Sequence, residues 1–134
     1  MFKPEQLREI EQLNRTKKTI QLTGWLSDEQ LAEYFRQAKA LVFPSLSEGF
    51  GIPVLEAYFY KIPLLLSNQA SLPEVAGDAA IYFNPYDIEN IANTLVQFVK
   101  TNDYSELITK QIERLSLYSW EKTSNQIQQI IQTI

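Results

Sequence analysis

Three short apolar runs limit most strongly what this chain can fold into. They span residues 40–43, 63–66 and 80–83. Each is apolar at successive positions, which is the pattern of a strand covered on both faces. Helical patterns lie between the runs, and strands that alternate with helices form a parallel sheet with helices on both faces. A fourth short strand is predicted at residues 19–22, where apolar and polar residues alternate before Gly24.

The helices are predicted from three-four apolar spacing and from cap signals. Pro4 suits the first turn of a helix that ends near residue 15. Ser27 and Gln30 have the spacing of a capping box, and Asp87 is expected to cap a later helix. The helix after Ser27 is expected to bury one stripe, formed by Leu31, Tyr34, Phe35 and Ala38. Further helices are predicted at about 53–60, 72–76, 88–99, 104–117 and 120–134.

Composition argues against several function classes. The chain has 134 residues, enough for one domain or part of one, and 45% of them are hydrophobic. It contains neither histidine nor cysteine, which argues against zinc sites, disulfides and Ser-His-Asp catalysis. The net charge of −4, with dispersed basic residues, disfavours nucleic-acid binding. No apolar run approaches the ~20 residues of a membrane-spanning helix, and residues 1–5 do not show a signal-peptide pattern.

The strand at 40–43 leads into a glycine-containing loop that runs straight into a helix. The loop and helix start read Ser47-Glu48-Gly49-Phe50-Gly51-Ile52-Pro53-Val54-Leu55-Glu56-Ala57. Glycine permits positive φ and lets a ligand approach the backbone closely. The free N–H groups of roughly residues 51–55 would face one point, where the helix dipole adds about half a positive charge. A diphosphate fits such a position.

Two carboxylates flank this loop, with seven residues between them. Glu56 is expected in the first helical turn, where direct contact with a phosphate would be repulsive. Because carboxylate oxygens only accept hydrogen bonds, Glu56 suits the vicinal hydroxyls of a ribose, and Glu48 those of a second sugar. The predicted ligand is a nucleotide sugar. From the spacing alone a structural interpretation stays open, since acidic residues near a helix start stabilise the dipole by ~0.3–1 kcal/mol.

Together with Phe43-Pro44-Ser45, this motif resembles the signature of the retaining "group 1" glycosyltransferases, which have the two-Rossmann-domain architecture called GT-B. Glu48 and Glu56 match the family's E-x7-E motif. The similarity extends in order over about residues 19–134, through further matching segments at 22–26, 62–64, 72–80, 82–87 and 119–121.

The resemblance implies transfer of a sugar from a nucleotide donor to an acceptor hydroxyl, with retained anomeric configuration and without a metal or other cofactor. Glu56 would hold the ribose hydroxyls and Glu48 the donor-sugar hydroxyls. Leu26 and its neighbours would line the base pocket. The amides and the helix end would stabilise the leaving diphosphate as its charge develops. The loop residues assigned to donor binding are Gly49, Phe50, Gly51, Ile52 and Val54.

The family's acceptor-binding N-terminal domain and the opening strands of its donor domain have no counterpart here. We therefore expect residues 1–134 to form a single partial domain: a Rossmann-like GT-B C-terminal domain, incomplete at its N-terminus. Its expected partners are a nucleotide-sugar donor, an acceptor of unknown class, and the missing N-terminal domain or a partner chain. Self-association is a further expectation. The chain alone is not expected to transfer sugar. Its expected location is the cytoplasm, or the membrane periphery through parts outside this chain.

Two other interpretations are carried forward. The chain could be a non-catalytic binding module or split subunit that needs a partner. A sugar phosphorylase relative would need a lysine for pyridoxal phosphate, and no candidate stands out.

Several other residues are interpreted as structural. Tyr58, Phe59 and Tyr60 are expected to pack in the core or against another domain, Trp120 to anchor the last helix, and Ser71 to cap a helix. Lys61 stands where the family usually has glycine, at the end of the motif helix. If that position needs a left-handed backbone, lysine costs on the order of 1 kcal/mol.

Overall fold

The computed structural model describes residues 2–15 and 19–133. The chain divides into two compact units, Met1–Ala32 and Glu33–Ile134. Within the described residues, the elements follow in this order: α1 Pro4–Asn14, α2 Asp28–Gln37, β1 Leu41–Phe43, α3 Ile52–Phe59, β2 Leu64–Ser67, α4 Leu72–Ala76, β3 Ile81–Phe83, α5 Ile88–Lys100, α6 Ser105–Leu115 and α7 Trp120–Thr133.

Helix α2 begins with the capping box that the sequence predicts. The Ser27 N–H donates to Gln30 Oε1 at 3.0 Å, and the Gln30 N–H donates to Ser27 Oγ at 3.4 Å. These two bonds satisfy N–H groups at the helix start that lack intrahelical partners. The predicted apolar stripe is only partly confirmed. Phe35 is buried and Ala38 half-buried, but Leu31 and Tyr34 are exposed.

Residues 19–22, predicted as a strand, are not a strand in the structure. The side-chain amide of Asn14 holds this segment. Its Nδ2 donates to the Ile20 carbonyl at 2.7 Å, and its Oδ1 accepts from the Ile20 N–H at 2.9 Å. A strand needs a neighbouring strand for these backbone groups, and Asn14 takes both of them at Ile20 instead.

The sheet of the second unit has three parallel strands in the order β1-β2-β3. In its register, Leu41 lies opposite Leu64, and Leu65 lies opposite Ile81. All four residues of the central strand β2 are buried. This burial confirms for β2 a strand covered on both faces, which is how parallel sheets normally occur. The same prediction is wrong for β1, whose central residue Val42 is exposed among the described residues.

A hydrophobic core cluster joins one face of β2 to helices α3 and α4. Leu64 and Leu66 belong to this cluster, since alternate residues of a strand share a face. Leu65 is equally buried but stands outside the cluster, on the other face. The helical members of the cluster include Val54, Ala57, Tyr58, Leu72, Val75 and Ala76. Packing against one strand therefore brings α3 and α4 together, and both helices follow the carboxyl end of a strand, where ligands bind in such sheets.

The last three helices begin and end close to the predicted positions. Asp87 caps α5 as predicted, since its Oδ1 accepts from the Asn90 N–H at 3.0 Å. Helix α7 has no buried residue among those described. Across residues 2–15 and 19–133, none of the helices combines the length and apolar character needed to cross a membrane.

Candidate functional site

The two glycines of the loop have different structural roles. Gly51 is the N-cap of α3 and has a left-handed backbone, with φ 91° and ψ 59°. A Cβ atom at Gly51 would stand 2.7 Å from Leu72 Cδ2. Gly49 has neither feature: its φ is not positive, and a Cβ there would meet nothing within 4 Å. Only Gly51 therefore needs to be glycine for the backbone to pack onto α4.

Free backbone donors do lie in front of α3, but the set is smaller than the sequence suggests. In the part of the chain that the structure describes, the N–H groups of Phe50, Gly51 and Ile52 donate no hydrogen bond. Pro53 has no N–H. Val54 is fully buried and its N–H donates to the Gly51 carbonyl at 2.9 Å. The loop thus presents three amides beside the positive end of the helix dipole, and the Val54 amide is already engaged.

Glu48 is held by two serine hydroxyls. Ser45 Oγ donates to Glu48 Oε1 at 2.8 Å, and Ser71 Oγ donates to the Glu48 backbone carbonyl at 2.8 Å. Ser71 occupies the N-cap position of α4, as predicted, but its side chain makes no capping bond. The expected capping role is wrong because the hydroxyl is used on the loop. Sequence reasoning missed both contacts. Ser71 lies 23 residues away from Glu48, so no local pattern signals it, whereas Ser45 lies only three residues before Glu48.

Glu56 is the fifth residue of α3 and therefore lies in the second helical turn. The prediction that placed it in the first turn is wrong. Among the described residues its half-buried carboxylate has no hydrogen bond and no ion pair. A stabilising role at the helix start requires the first turn, because the dipole effect falls off beyond it. Its position in the second turn therefore disfavours the helix-dipole interpretation that the sequence left open for Glu56.

Glu56 lines a groove of about 860 Å³ between the exposed face of α3 and the start of α7. Five of its thirteen lining residues are aromatic. Phe50 packs edge-on against Tyr118 with ring centroids 5.5 Å apart. The other aromatic wall residues are Phe59, Tyr60 and Trp120. Lys122 also lines the groove, but its ammonium group donates to the Ser116 carbonyl at 2.7 Å.

The aromatic residues after Glu56 divide between core and surface. Tyr58 is 1% exposed and lies in the core, and Tyr60 stacks on Phe35 with centroids 5.1 Å apart. Phe59 is 69% exposed and packs edge-on against Tyr60 with ring centroids 5.1 Å apart, so it lies outside the core of the described residues. Packing of Phe59 against another domain stays a prediction. Trp120, expected to anchor α7, is 86% exposed. It begins the helix and lines the groove, and it is not buried beneath the helix.

Side chains from α3, β3, α6 and the connection between α6 and α7 hold the C-terminal end of α4. Tyr58 Oη donates to the Ala76 carbonyl at 3.3 Å, and Tyr82 Oη donates to the Gly77 carbonyl at 2.6 Å. Arg114 Nε and Tyr118 Oη both donate to the Val75 carbonyl, at 2.9 and 3.2 Å. A second Arg114 nitrogen, Nη2, donates to the Glu74 carbonyl. The carbonyls left over at this helix end are thereby satisfied, which fixes the short helix that carries Ser71.

Burial changes the acidity of two of these tyrosines. It raises the pKa of Tyr58, because the ionised phenolate loses its hydration in the core. Burial also raises the pKa of Tyr82, against the opposing effect of the Arg114 guanidinium. Both hydroxyls therefore stay protonated and act as donors to α4 at neutral pH.

The predicted site residues are not all in one unit. Glu48, Glu56 and the loop between them lie in the second unit, and the structure brings them together around the start of α3. Leu26 is half-buried and lies in the first unit, just before the α2 capping box.

The family model for glycosyl transferases group 1 matches residues 3–115. The chain belongs to this family of glycosyltransferases. The E. coli O-antigen chain mannosyltransferase B is 35% identical over 108 residues, which are 80% of this chain and 28% of that protein. The E. coli serotype-specific mannosyltransferase WbdA is 35% identical over 127 residues, 91% of this chain and 16% of that protein.

Among solved structures, the sucrose-phosphate synthase of Thermosynechococcus elongatus superimposes with a TM-score of 0.80 at 22% identity. The match covers 96% of this glycosyltransferase chain and 33% of the synthase. It confirms the predicted fold class, a Rossmann-like parallel sheet with helices of the GT-B type. The chain thus spans between about a sixth and a third of the lengths of these similar proteins.

Proposed function

We propose that this chain is the donor-binding part of a retaining glycosyltransferase and that it binds a nucleoside-diphosphate sugar at the start of α3. The observation that carries the proposal is the set of free donors and acceptors around Gly51. Three unpaired amides lie beside the helix end, and a carboxylate stands on either side of them in the sequence. Donors in the middle and acceptors on both sides match a diphosphate between two hydroxyl-bearing sugars.

Each group has one role in this proposal. The amides of Phe50, Gly51 and Ile52 bind the diphosphate. Glu56 accepts from the ribose hydroxyls, and Glu48 accepts from hydroxyls of the transferred sugar. As the bond from the sugar to the diphosphate breaks, the amides and the helix dipole stabilise the negative charge that develops on the leaving group. These groups supply that stabilisation without a metal ion, and we propose that donor binding needs none.

The proposal can be tested by calorimetric titration of the 134-residue chain with GDP-mannose and GDP, and with UDP-glucose and UDP. Because Glu56 would contact the ribose, Glu56→Gln should lower the affinity for the sugar nucleotides and for the free nucleoside diphosphates alike. Glu48→Gln should lower the affinity for the sugar nucleotides only. Loss of a hydrogen bond to a charged group predicts a weakening of roughly 10- to 100-fold in each case.

The matched control is Glu113→Gln, an exposed glutamate on α6, which should leave affinity unchanged. Repeating the titration with EDTA tests whether donor binding needs a metal ion, and the affinity should not change. Absence of binding to all four compounds would contradict donor binding by this chain. Equal affinities of the wild type and both site variants would contradict the assigned roles.

We also propose that sugar transfer requires polypeptide beyond these residues, either a further domain or a partner chain. The support is the length covered in the relatives and the sheet itself. Within the described residues β1 pairs only with β2, and its central residue Val42 is 39% exposed. Both faces of a parallel strand are normally covered by helices, so the exposure of Val42 is unusual, and an unpaired edge strand can accept a further strand. Turnover of either sugar nucleotide by the purified chain, with an acceptor present, would contradict this part of the proposal. A strictly monomeric species in light scattering would count against self-association through that edge.

A further inference from the structure

We infer that Ser45 and Ser71 are positioning residues that fix Glu48 for the sugar of the donor; this inference rests on the proposed function. Ser45 Oγ donates to the Glu48 carboxylate at Oε1, 2.8 Å away. Ser71 Oγ donates to the Glu48 backbone carbonyl, also at 2.8 Å. One serine therefore orients the side chain and the other holds the backbone from which it extends.

The Ser71 contact is more than a local turn interaction. Ser71 stands at the N-cap of α4, where a serine hydroxyl normally accepts from an N–H of its own helix. Here it makes no such bond and donates to a residue 23 positions earlier. The hydroxyl is thus used to hold the loop and not the helix.

Ser71, the N-cap of α4, and Leu72, its first residue, hold the two ends of the loop. Ser71 binds the carbonyl of Glu48, and the side chain of Leu72 occupies the space where Gly51 would carry a Cβ. Leu72 is fully buried, and Tyr58, Tyr82, Arg114 and Tyr118 hold the far end of α4. The loop is therefore attached to a fixed support, which sets the position of the Glu48 carboxylate relative to the amides that begin at Phe50.

Glu48 keeps capacity for a ligand in this arrangement. Ser45 occupies Oε1, while Oε2 has no partner among the described residues. The Ser45 hydroxyl has one proton and also lies 3.3 Å from the Ser47 carbonyl, but the shorter contact is to the carboxylate. A carboxylate anchored through one oxygen can present the other to a sugar hydroxyl without losing further rotational freedom.

The test compares Ser45→Ala and Ser71→Ala with wild type in titrations of GDP-mannose against GDP, and of UDP-glucose against UDP. Each variant should bind the sugar nucleotides with an affinity roughly 3- to 10-fold lower, the range expected for loss of one hydrogen bond. Affinity for the free diphosphate should change less than about twofold, because Glu48 would not contact it. Ser71→Thr, which keeps the hydroxyl, should restore affinity. The control is Ser116→Ala, whose hydroxyl also donates to a backbone carbonyl, that of Glu113 at 2.7 Å.

A second measurement separates this inference from the proposed function. Backbone ¹⁵N relaxation of the ligand-free chain should show lower order parameters at Glu48 and Gly49 in Ser71→Ala, with β2 unchanged. If wild type binds none of the four compounds, the proposed function fails, and the order parameters still decide whether Ser71 holds the loop. Unchanged order parameters in Ser71→Ala would overturn the inference. The inference would also be overturned if both variants lost equal affinity for the sugar nucleotides and for the free nucleoside diphosphates, because that result indicates a general structural role.

Discussion

The side chain of Leu72 fills the space beside Gly51: a Cβ at residue 51 would lie 2.7 Å from Leu72 Cδ2. The glycine also has φ 91°, a backbone conformation that side chains disfavour. These two constraints come from different parts of the chain, one local and one tertiary. Together they join the loop in front of α3 to the first residue of α4.

Gly51→Ala should therefore destabilise the chain by about 2–4 kcal/mol, combining left-handed backbone strain with overpacking against Leu72. The measurement is the free energy of unfolding in urea. Gly49→Ala is the matched control, since its backbone is not left-handed and the space around it is open. We expect that variant to change stability by less than about 0.5 kcal/mol. Equal effects of the two substitutions would contradict the different roles assigned to these glycines.

Lys61 has φ 55°, so the left-handed backbone suspected at this position is present. Lys61→Gly should stabilise the chain by roughly 0.5–1 kcal/mol, because glycine adopts this conformation without steric cost. Thermal and urea unfolding would both report the gain. Lys100→Gly, at the last residue of α5, is the comparison. It should destabilise, since glycine is a poor helix former. A loss of stability in Lys61→Gly would show that the lysine side chain contributes more than its backbone strain costs.

Arg114 joins α6 to the end of α4 through the Val75 and Glu74 carbonyls. Arg114→Ala leaves both carbonyls without this donor and should destabilise by about 2–3 kcal/mol. The control is Arg36→Ala, which removes an exposed ion pair to Glu33 at 3.1 Å. That change should cost less than about 0.5 kcal/mol. Similar losses in the two variants, measured by urea unfolding, would contradict a special role for Arg114.

Alkaline pH should weaken the fold through the buried tyrosines. Since burial raises the pKa of Tyr58, this group stays protonated in the folded chain at pH values where the unfolded chain already ionises. Its contribution is therefore complete below about pH 10 and is lost above it, by up to about 1.4 kcal/mol per pH unit. The free energy of unfolding from pH 7 to 11 measures this loss.

Tyr58→Phe should make that alkaline loss shallower. At neutral pH it should cost about 0.5–1.5 kcal/mol, because the hydrogen bond to Ala76 is removed. Tyr86→Phe, at a residue that is 69% exposed, should leave the neutral stability unchanged. An alkaline slope in Tyr58→Phe identical to that of wild type would show that other groups cause the loss.

The amino-acid sequence was sufficient to predict the local features of this fold. The continuous apolar runs predicted the three strands of the described sheet, and the cap residues Ser27 and Asp87 predicted helix starts, because these signals depend only on neighbouring residues. The order of motifs around Glu48 and Glu56 also pointed to the family that the comparisons show.

Tertiary structure decided the features that depend on contacts across the chain. Residues 19–22 have a strand-like pattern but do not form a strand, because a strand requires a neighbour and Asn14 binds Ile20 instead. Ser71 has the pattern of a helix cap, but folding places its hydroxyl beside Glu48. The sequence shows that two glutamates and two glycines flank Phe50. Only the packing of α4 against the loop distinguishes Gly51 from Gly49 and brings Ser71 to Glu48, since these contacts join segments about 20 residues apart.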